Sequence, residues 1–69
     1  MVSKNFQIVL GVVSDLPEIL IEERKRLGLT QRQLAEKIGL KEQQIQRYEA
    51  TRYQSASLQR LCEVAKGLV

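Results

Sequence analysis

The chain has 69 residues, of which 43% are apolar and only three aromatic, so it has room for one small domain with a mainly aliphatic core. It contains no His and a single Cys, Cys62, which excludes an intrachain disulfide or a cysteine metal cluster and leaves little from which to build a catalytic site. Its net charge of +3 is uneven, because residues 1–23 carry one Lys against four carboxylates (−3), whereas residues 24–69 carry ten Lys and Arg against four Glu (+6).

Residues 1–15 form an N-terminal extension for which two structures fit the sequence. The apolar run at 8–13 is too short to span a bilayer and lacks the flanks of a signal peptide, so the chain is predicted to be soluble and cytoplasmic. Residues 6–13 are rich in β-branched side chains and are interrupted by Gly11, which fits a short buried helix or a strand. We predict a short helix that packs on helices one and four, with a dimerising strand as the alternative.

Helix one is predicted over residues 16–27. Pro17 falls in its first turn, where the missing N–H costs little, and Gly28 ends the helix. The apolar spacing predicts an inward stripe made of Leu16, Ile19, Leu20 and Leu27.

Helix two is predicted to begin after Thr30, because Thr30-x-x-Gln33 matches a capping box in which two side chains satisfy free backbone donors. Gly39 supplies the sharp turn at the end of this helix. The side chains predicted to face inward are Leu34, Ala35 and Ile38.

Helix three is predicted over residues 42–50, with Ile45 and Tyr48 directed inward, and a polar loop at 51–56 follows it. Ser57 is the predicted N-cap of helix four. The inward side of helix four is predicted from apolar residues at helical spacing, with the cysteine as an ordinary buried thiol: Leu58, Leu61, Cys62, Ala65 and Leu68.

Residues 29–48 therefore contain two short helices joined by a tight turn, the arrangement of a DNA-binding helix-turn-helix. On helix three, Gln43, Gln44 and Arg47 share a face at i, i+1 and i+4. Gln can bond adenine N6 and N7, and Arg can bond guanine O6 and N7. The basic balance of residues 24–69 is also typical of a nucleic-acid binder. DNA recognition is the leading hypothesis, although the stripe that Arg47 forms with Gln44 and Tyr48 could also bind protein.

The remaining polar residues near this face each have two interpretations. Glu42, at the tip of helix three, could accept from a cytosine amino group or complement the helix dipole. Gln46 lies further round helix three, where it is expected to face solvent or a sugar of the DNA backbone. Three basic residues at the edges suit phosphate contacts, which position a protein without reading sequence, or are plain surface charges: Arg32, Lys41 and Arg52.

Residues 20–68 resemble the helix-turn-helix domain of the phage-repressor family of transcriptional regulators, which includes lambda repressor, Cro and Xre proteins. The resemblance implies an all-α, compact, lambda-repressor-like bundle of four to five short helices, with the DNA-binding domain at residues 16–69. The residues that carry it are Arg24, Gly28, Leu29, Thr30, Gln31, Leu34, Ala35, Glu36, Lys37, Ile38, Gly39, Ile45, Glu49, Ser57, Leu58, Leu61 and Ala65.

The resemblance also implies roles for three residues. Gln31 matches a residue that holds a phosphate, and its place at a helix N-terminus suits an anion, so this role is favoured over the alternative of a plain solvent-exposed glutamine. Arg24 and Glu49 match an ion pair that ties helix one to helix three and orients the recognition helix.

The chain departs from the family pattern in three places. Lys41 stands where relatives have Ser or Thr as N-cap, so the start of helix three is expected to be less firmly fixed or to rely on Glu42. The loop at 50–56 lacks the usual Gly-x-x-x-Pro. The sequence ends at Val69, where relatives commonly continue, so either the N-terminal extension fills the exposed face or the chain is a piece of a longer protein.

The sequence thus predicts sequence-specific binding of double-stranded DNA by a homodimeric transcriptional regulator, either a repressor or an antitoxin that also binds a toxin. No cofactor, no metal and no membrane are expected. The alternative is a protein-interaction module that uses the same fold without DNA binding, and an enzyme is the weakest hypothesis.

Overall fold

The structure is a computed structural model that describes residues 2–69. Over that range the chain forms four helices and no strand: α1 (Lys4–Arg26), α2 (Gln31–Ile38), α3 (Glu42–Ala50) and α4 (Leu58–Gly67). The prediction of an all-α, helix-turn-helix bundle is confirmed. None of the helices described is both long enough and apolar enough to cross a membrane.

Helix α1 is much longer than predicted. It begins at Lys4, where the Ser3 hydroxyl accepts from the Phe6 N–H at 3.1 Å, and runs for 23 residues. The predicted start at residue 16 is wrong, because Pro17 lies inside the helix rather than in its first turn. Residues 6–13 are helical but exposed, so their predicted packing on helices one and four is also wrong, and the strand alternative does not occur.

The core lies where α2 packs against α3 and α4 and where the second half of α1 covers them. Leu34, Ile45 and Val64 are fully buried at its centre. From α1 only Leu20 is a buried apolar side chain, with Leu16 and Ile21 packed at its edge. The predicted inward positions of Ile19 and Leu27 are wrong, since these side chains are 44% and 42% exposed.

Helix α4 begins after the predicted cap, where the Ser57 hydroxyl accepts from the Arg60 N–H at 3.1 Å. The predicted inward positions of Leu61, Ala65 and Leu68 are confirmed, and Val64 is a further, fully buried residue on the same side. Leu58 is 74% exposed and Cys62 is exposed, so their predicted inward positions and the prediction of a buried thiol are wrong. The capping residue fixes where a helix starts, whereas contacts with other helices determine which side is buried.

Close approach of α4 to α2 depends on a glycine. Gly67 is buried, and a Cβ atom at this position would overlap the Cγ2 atom of Ile38. A side chain at residue 67 would therefore require either Ile38 or the two helices to shift.

The loop between α3 and α4 contains a core residue that the sequence analysis treated as part of a polar segment. Tyr53 is 4% exposed and stacks on Tyr48, with 5.6 Å between ring centroids. Arg52 and Tyr53 both have left-handed backbone conformations, with φ values of 55° and 57°. This conformation is uncommon for residues other than glycine, and here it turns the tyrosine ring into the bundle.

Candidate nucleic-acid interface

The two helices of the motif are joined by a tight and well-bonded turn. The Thr30 hydroxyl accepts from the Gln33 N–H at 3.0 Å, and the Gln33 side chain accepts from the Thr30 N–H at 2.9 Å, which confirms the predicted capping box. Gly39 ends α2 in the left-handed conformation (φ 75°), as predicted. The Leu40 N–H then bonds to the Ala35 carbonyl at 2.8 Å, which fixes the direction in which α3 begins.

The start of α3 is held by a glutamine rather than by the residue at its N-cap position. The Lys41 side chain makes no capping hydrogen bond, but its backbone N–H donates to the Gln44 side-chain oxygen at 3.0 Å. Glu42 does not replace the missing cap, because its carboxylate accepts from the Gln46 amide at 3.3 Å. The signal for this contact was present in the sequence, since Lys41-x-x-Gln44 repeats the spacing of Thr30-x-x-Gln33.

The outer face of α3 carries the side chains predicted to read bases. Gln43, Gln44 and Arg47 are exposed, whereas Ile45 on the opposite side is fully buried. A shallow cleft of about 200 Å³ adjoins this face, lined by Gln44, Arg47, Tyr48 and Ser55. The exposed face of α3 is thus polar and cationic, and its inner face is fixed to the core.

A buried hydrogen-bond network joins α3 to α1 and α2. Arg24 pairs with Glu49 through two bonds of 2.6 and 2.9 Å, and both side chains are about nine-tenths buried. The Gln31 side-chain amide donates to the same carboxylate at 3.0 Å. Arg24 also donates to the Leu29 carbonyl at 2.7 Å. Glu49 therefore connects the start of α2 and the last turn of α1 to α3.

Gln31 lies where an anion could still reach it. It is half-buried, so it is not the solvent-exposed glutamine of the alternative interpretation. Its amide nitrogen uses one hydrogen on Glu49, and an amide carries two. The second hydrogen is available at the N-terminus of α2, where backbone N–H groups also favour a negative charge.

Tyr53 lies beside this network and stays neutral over the ordinary pH range. Burial raises the pKa of Tyr53 to about 12, and the negative charge of Glu49 adds to the rise. Arg24 acts in the opposite direction. Only the presence of an aromatic residue within a polar loop could have indicated this position from the sequence.

The basic residues near the interface differ in whether they are already paired. Arg32 bonds Glu36 at 3.1 Å on the surface of α2, and Arg52 forms an ion pair with Glu18 of α1. Lys41 and Arg47 take part in none of the ion pairs formed within residues 2–69. These two side chains are the uncompensated positive charges on the face formed by α3 and the turn.

These features define the class of the protein: a helix-turn-helix domain whose second helix presents exposed amide and guanidinium groups. A family model described as helix-turn-helix matches residues 20–68. The chain therefore belongs to the helix-turn-helix family of the Xre and lambda-repressor type, whose members are DNA-binding regulatory domains and not typically enzymes. Comparisons with curated proteins and with solved structures gave no significant match.

Proposed function

We propose that this protein binds double-stranded DNA in a sequence-specific manner, as a transcriptional regulator of the repressor or antitoxin type that places α3 in the major groove. One observation carries the proposal. Gln43, Gln44 and Arg47 project from α3 on the side opposite to Ile45, while the pair between Arg24 and Glu49 holds the helix in place. A rigid helix with hydrogen-bonding groups on its outer face is what base reading requires.

The three base-reading side chains have different roles in this proposal. Arg47 is free of ion pairs within the described chain and bonds guanine O6 and N7. Gln43 is free to bond adenine through both its oxygen and its amide. Gln44 uses its oxygen to hold the start of α3, so it contacts DNA through its amide hydrogens alone. Glu42 contributes to specificity only where it exchanges its contact with Gln46 for a cytosine amino group.

Phosphate contacts are assigned to residues at the edges of the motif. Gln31 uses its second amide hydrogen, and Lys41 uses its ammonium group beside the turn. Arg32 and Arg52 contact phosphate only by leaving Glu36 and Glu18, so each contributes less to affinity than Lys41 does. Contacts of this kind fix the orientation of the domain and carry no sequence information.

A single domain of this size makes too few contacts for tight specific binding, so we propose a homodimer on a two-fold site with half-sites about 34–36 Å apart. In the antitoxin variant of the proposal, a toxin would be an additional partner.

The first experiment is selection of bound sites from a random duplex pool, followed by titration at several salt concentrations. Specific binding should yield an enriched two-fold motif, and affinity should fall with salt at a log–log slope of about −0.9 per phosphate neutralised. Absence of duplex binding even at low salt contradicts the proposal. It would leave the protein-interaction module as the function, an alternative that the exposed apolar side chains of α1 favour.

Two substitutions separate base reading from backbone contact. Arg47→Ala should cost about 1–3 kcal/mol on the selected site and relax the preference at one position, because a guanine contact is lost. Gln31→Ala should weaken binding to all sequences alike. Lys66→Ala, which removes an exposed charge from α4, is the matched control and should change little. An equal loss on every sequence after Arg47→Ala would show that Arg47 contacts phosphate.

A further inference from the structure

The first three turns of α1 project from the bundle with their apolar side chains uncovered. We call this segment, residues 4–15, the N-terminal overhang. The core begins only at Leu16, and the molecule measures 43 Å along its longest axis against 23 and 17 Å across. Six large apolar side chains of the overhang are each 51–58% exposed: Phe6, Ile8, Val9, Leu10, Val12 and Val13.

The N-terminal overhang is too apolar, and its helix propensity is too low, to form a stable helix without a partner. Twelve residues are marginal for an isolated helix, and β-branched residues and Gly11 lower the helix propensity further. The six side chains together expose roughly 500 Å² of apolar surface, which is near the upper limit for the largest patch on a monomer. The overhang therefore needs a partner with an apolar surface of similar length.

We propose that the partner is a second copy of this chain, whose overhang packs antiparallel to the first across a two-fold axis between Val9 and Leu10. In this register Phe6 lies opposite Val13 of the second copy, and Val9 lies opposite Leu10. A two-fold interface requires such self-complementary pairs, because each contact occurs twice.

The apolar side chains are spaced for helix pairing. Phe6, Val9 and Val13 are separated by three and four residues, which places them along one side of the helix. The same spacing continues through Leu16 to Leu20, the residue by which α1 enters the core of its own domain. The seam that we assign to the dimer is thus an extension of the seam that already packs within the domain.

The position of the bundle selects the antiparallel orientation. The side of α1 that carries Phe6, Val9 and Val13 continues to Leu16 and Leu20, where it faces the core of its own domain. In a parallel pair each bundle would therefore lie between the two helices and separate them, whereas antiparallel packing places the two bundles at opposite ends of the paired overhangs. The two charged residues of the overhang, Lys4 and Asp15, lie with Ile8 on the other side of the helix, away from this seam.

The area and length of the overhang fit a small two-fold interface. Without Ile8, which lies on the far side of the helix, the apolar side chains of two overhangs expose about 900 Å², which is at the small end for a specific interface. The part of α1 that enters the core is centred about 12 residues from the axis, so the two bundles would lie about 36 Å apart along the helix direction. That separation matches half-sites one helical turn apart, a consequence that rests on the proposed DNA binding.

The dimer is tested without DNA, by sedimentation equilibrium of the full chain across a range of protein concentrations. The unchanged chain should dimerise, and Leu10→Glu should raise the dissociation constant at least a hundredfold, because it places a charge at the axis. Leu58→Glu is the matched control, since this leucine is more exposed (74%) but lies on α4, and its dimer should be unaffected. A monomer at all concentrations, or equal effects of the two substitutions, overturns the proposal.

Disulfide cross-linking is an independent test of the antiparallel register. In a Cys62→Ser background, Val9→Cys should form a disulfide-linked dimer on oxidation, whereas Ser3→Cys should not, because antiparallel packing separates the two Ser3 positions. Equal cross-linking at both positions contradicts the proposal.

The two proposals fail in different ways. If Leu10→Glu is a monomer that still binds duplex weakly, the dimer interface stands independently of operator affinity. If the unchanged chain dimerises as described but binds no duplex, only the proposed DNA function fails. If the chain stays monomeric and binds anionic lipid vesicles through the overhang, the second copy is the wrong partner.

Discussion

At the scale of single residues, Glu49 joins three helices beneath the candidate interface. Its carboxylate accepts from Arg24 and Gln31, and all three groups are half-buried or buried. A buried ion pair adds little net stability against apolar replacements, but breaking one leaves an uncompensated charge. The network is therefore best understood as a device that orients α3 and Gln31 together.

This view predicts the outcome of Glu49→Gln. This substitution keeps the shape of the side chain at residue 49 but removes its negative charge, so Arg24 remains buried without a counter-charge. The free energy of unfolding should therefore fall by about 3 kcal/mol. Urea denaturation monitored by circular dichroism measures the change. Glu36→Gln, which affects only the exposed pair with Arg32, should cost less than about 1 kcal/mol. Similar effects of the two substitutions would show that the buried pair has no special role.

Tyr53 gives the domain a dependence on alkaline pH. Its pKa is raised to about 12 in the folded state, above the ordinary value of 10.0. The folded chain therefore holds the phenolic proton more tightly than the unfolded chain does. The resulting stability is fully present below pH 10 and is lost as the pH rises through about 12.

The test compares urea unfolding of the unchanged chain and Tyr53→Phe between pH 9 and pH 12. The unchanged chain should lose up to about 2 kcal/mol more than the variant over this interval. Tyr48→Phe, at the half-buried ring stacked on Tyr53, is the control and should leave most of this loss in place. Parallel pH curves for Tyr53→Phe and the unchanged chain would contradict the assignment.

At the scale of helices, local signals predicted boundaries better than they predicted packing. The starts of α2 and α4 follow from Thr30 and Ser57, because a capping hydroxyl needs only the three residues after it. The start of α1 did not follow, because Pro17 is most often a first-turn residue and here lies mid-helix. Helical spacing predicted part of the inward side of α4, but the exposure of Leu58 and Cys62 and the burial of Tyr53 depend on contacts distant in sequence, which no local pattern encodes.

In the candidate interface, too, local signals predicted which side chains are exposed but not which contacts they make. The exposed positions of Gln43, Gln44 and Arg47 could be inferred from helical spacing, since one buried residue, Ile45, sets the orientation of so short a helix. Helical spacing could not show which of the polar side chains already form hydrogen bonds or ion pairs within the chain. Gln44 holds the helix start, and Arg52 is paired with Glu18, a residue far away in the sequence.

Lys41 shows how stability and binding compete at the start of α3. Lys41→Ser would supply the missing cap, so the free energy of unfolding should rise by about 0.5–1 kcal/mol. The same change removes an unpaired cation from the interface, so affinity for every duplex should fall and the salt slope should become shallower by about 0.9. Thermal unfolding and duplex titration measure the two effects. A variant that is more stable and binds equally well would remove Lys41 from the set of phosphate contacts.

At the scale of the whole molecule, the proposed dimer seam and the proposed DNA surface fall in parts of the chain that differ in charge. Residues 1–23 are acidic and contain the proposed dimer seam, and residues 24–69 are basic and contain the proposed DNA surface. Glu18 is an exception to this separation, because it pairs with Arg52 beside the proposed DNA surface, whereas Lys41 and Arg47 take part in no ion pair within the described chain.

The proposed dimer predicts that DNA binding by one copy and DNA binding by two copies depend differently on salt. If each copy neutralises roughly three phosphates, the log–log salt slope should be about −2.7 for the monomeric Leu10→Glu variant and about −5.4 for the dimer on a full two-fold site. Titration of both proteins on the selected duplex, with Leu58→Glu as the dimeric control, measures the two slopes. Equal slopes would mean that the second copy adds no phosphate contacts, and dimerisation would then serve a purpose other than operator binding. A doubled slope requires both copies to lie on the same DNA, which neither the fold of one domain nor the sequence of α3 could establish alone.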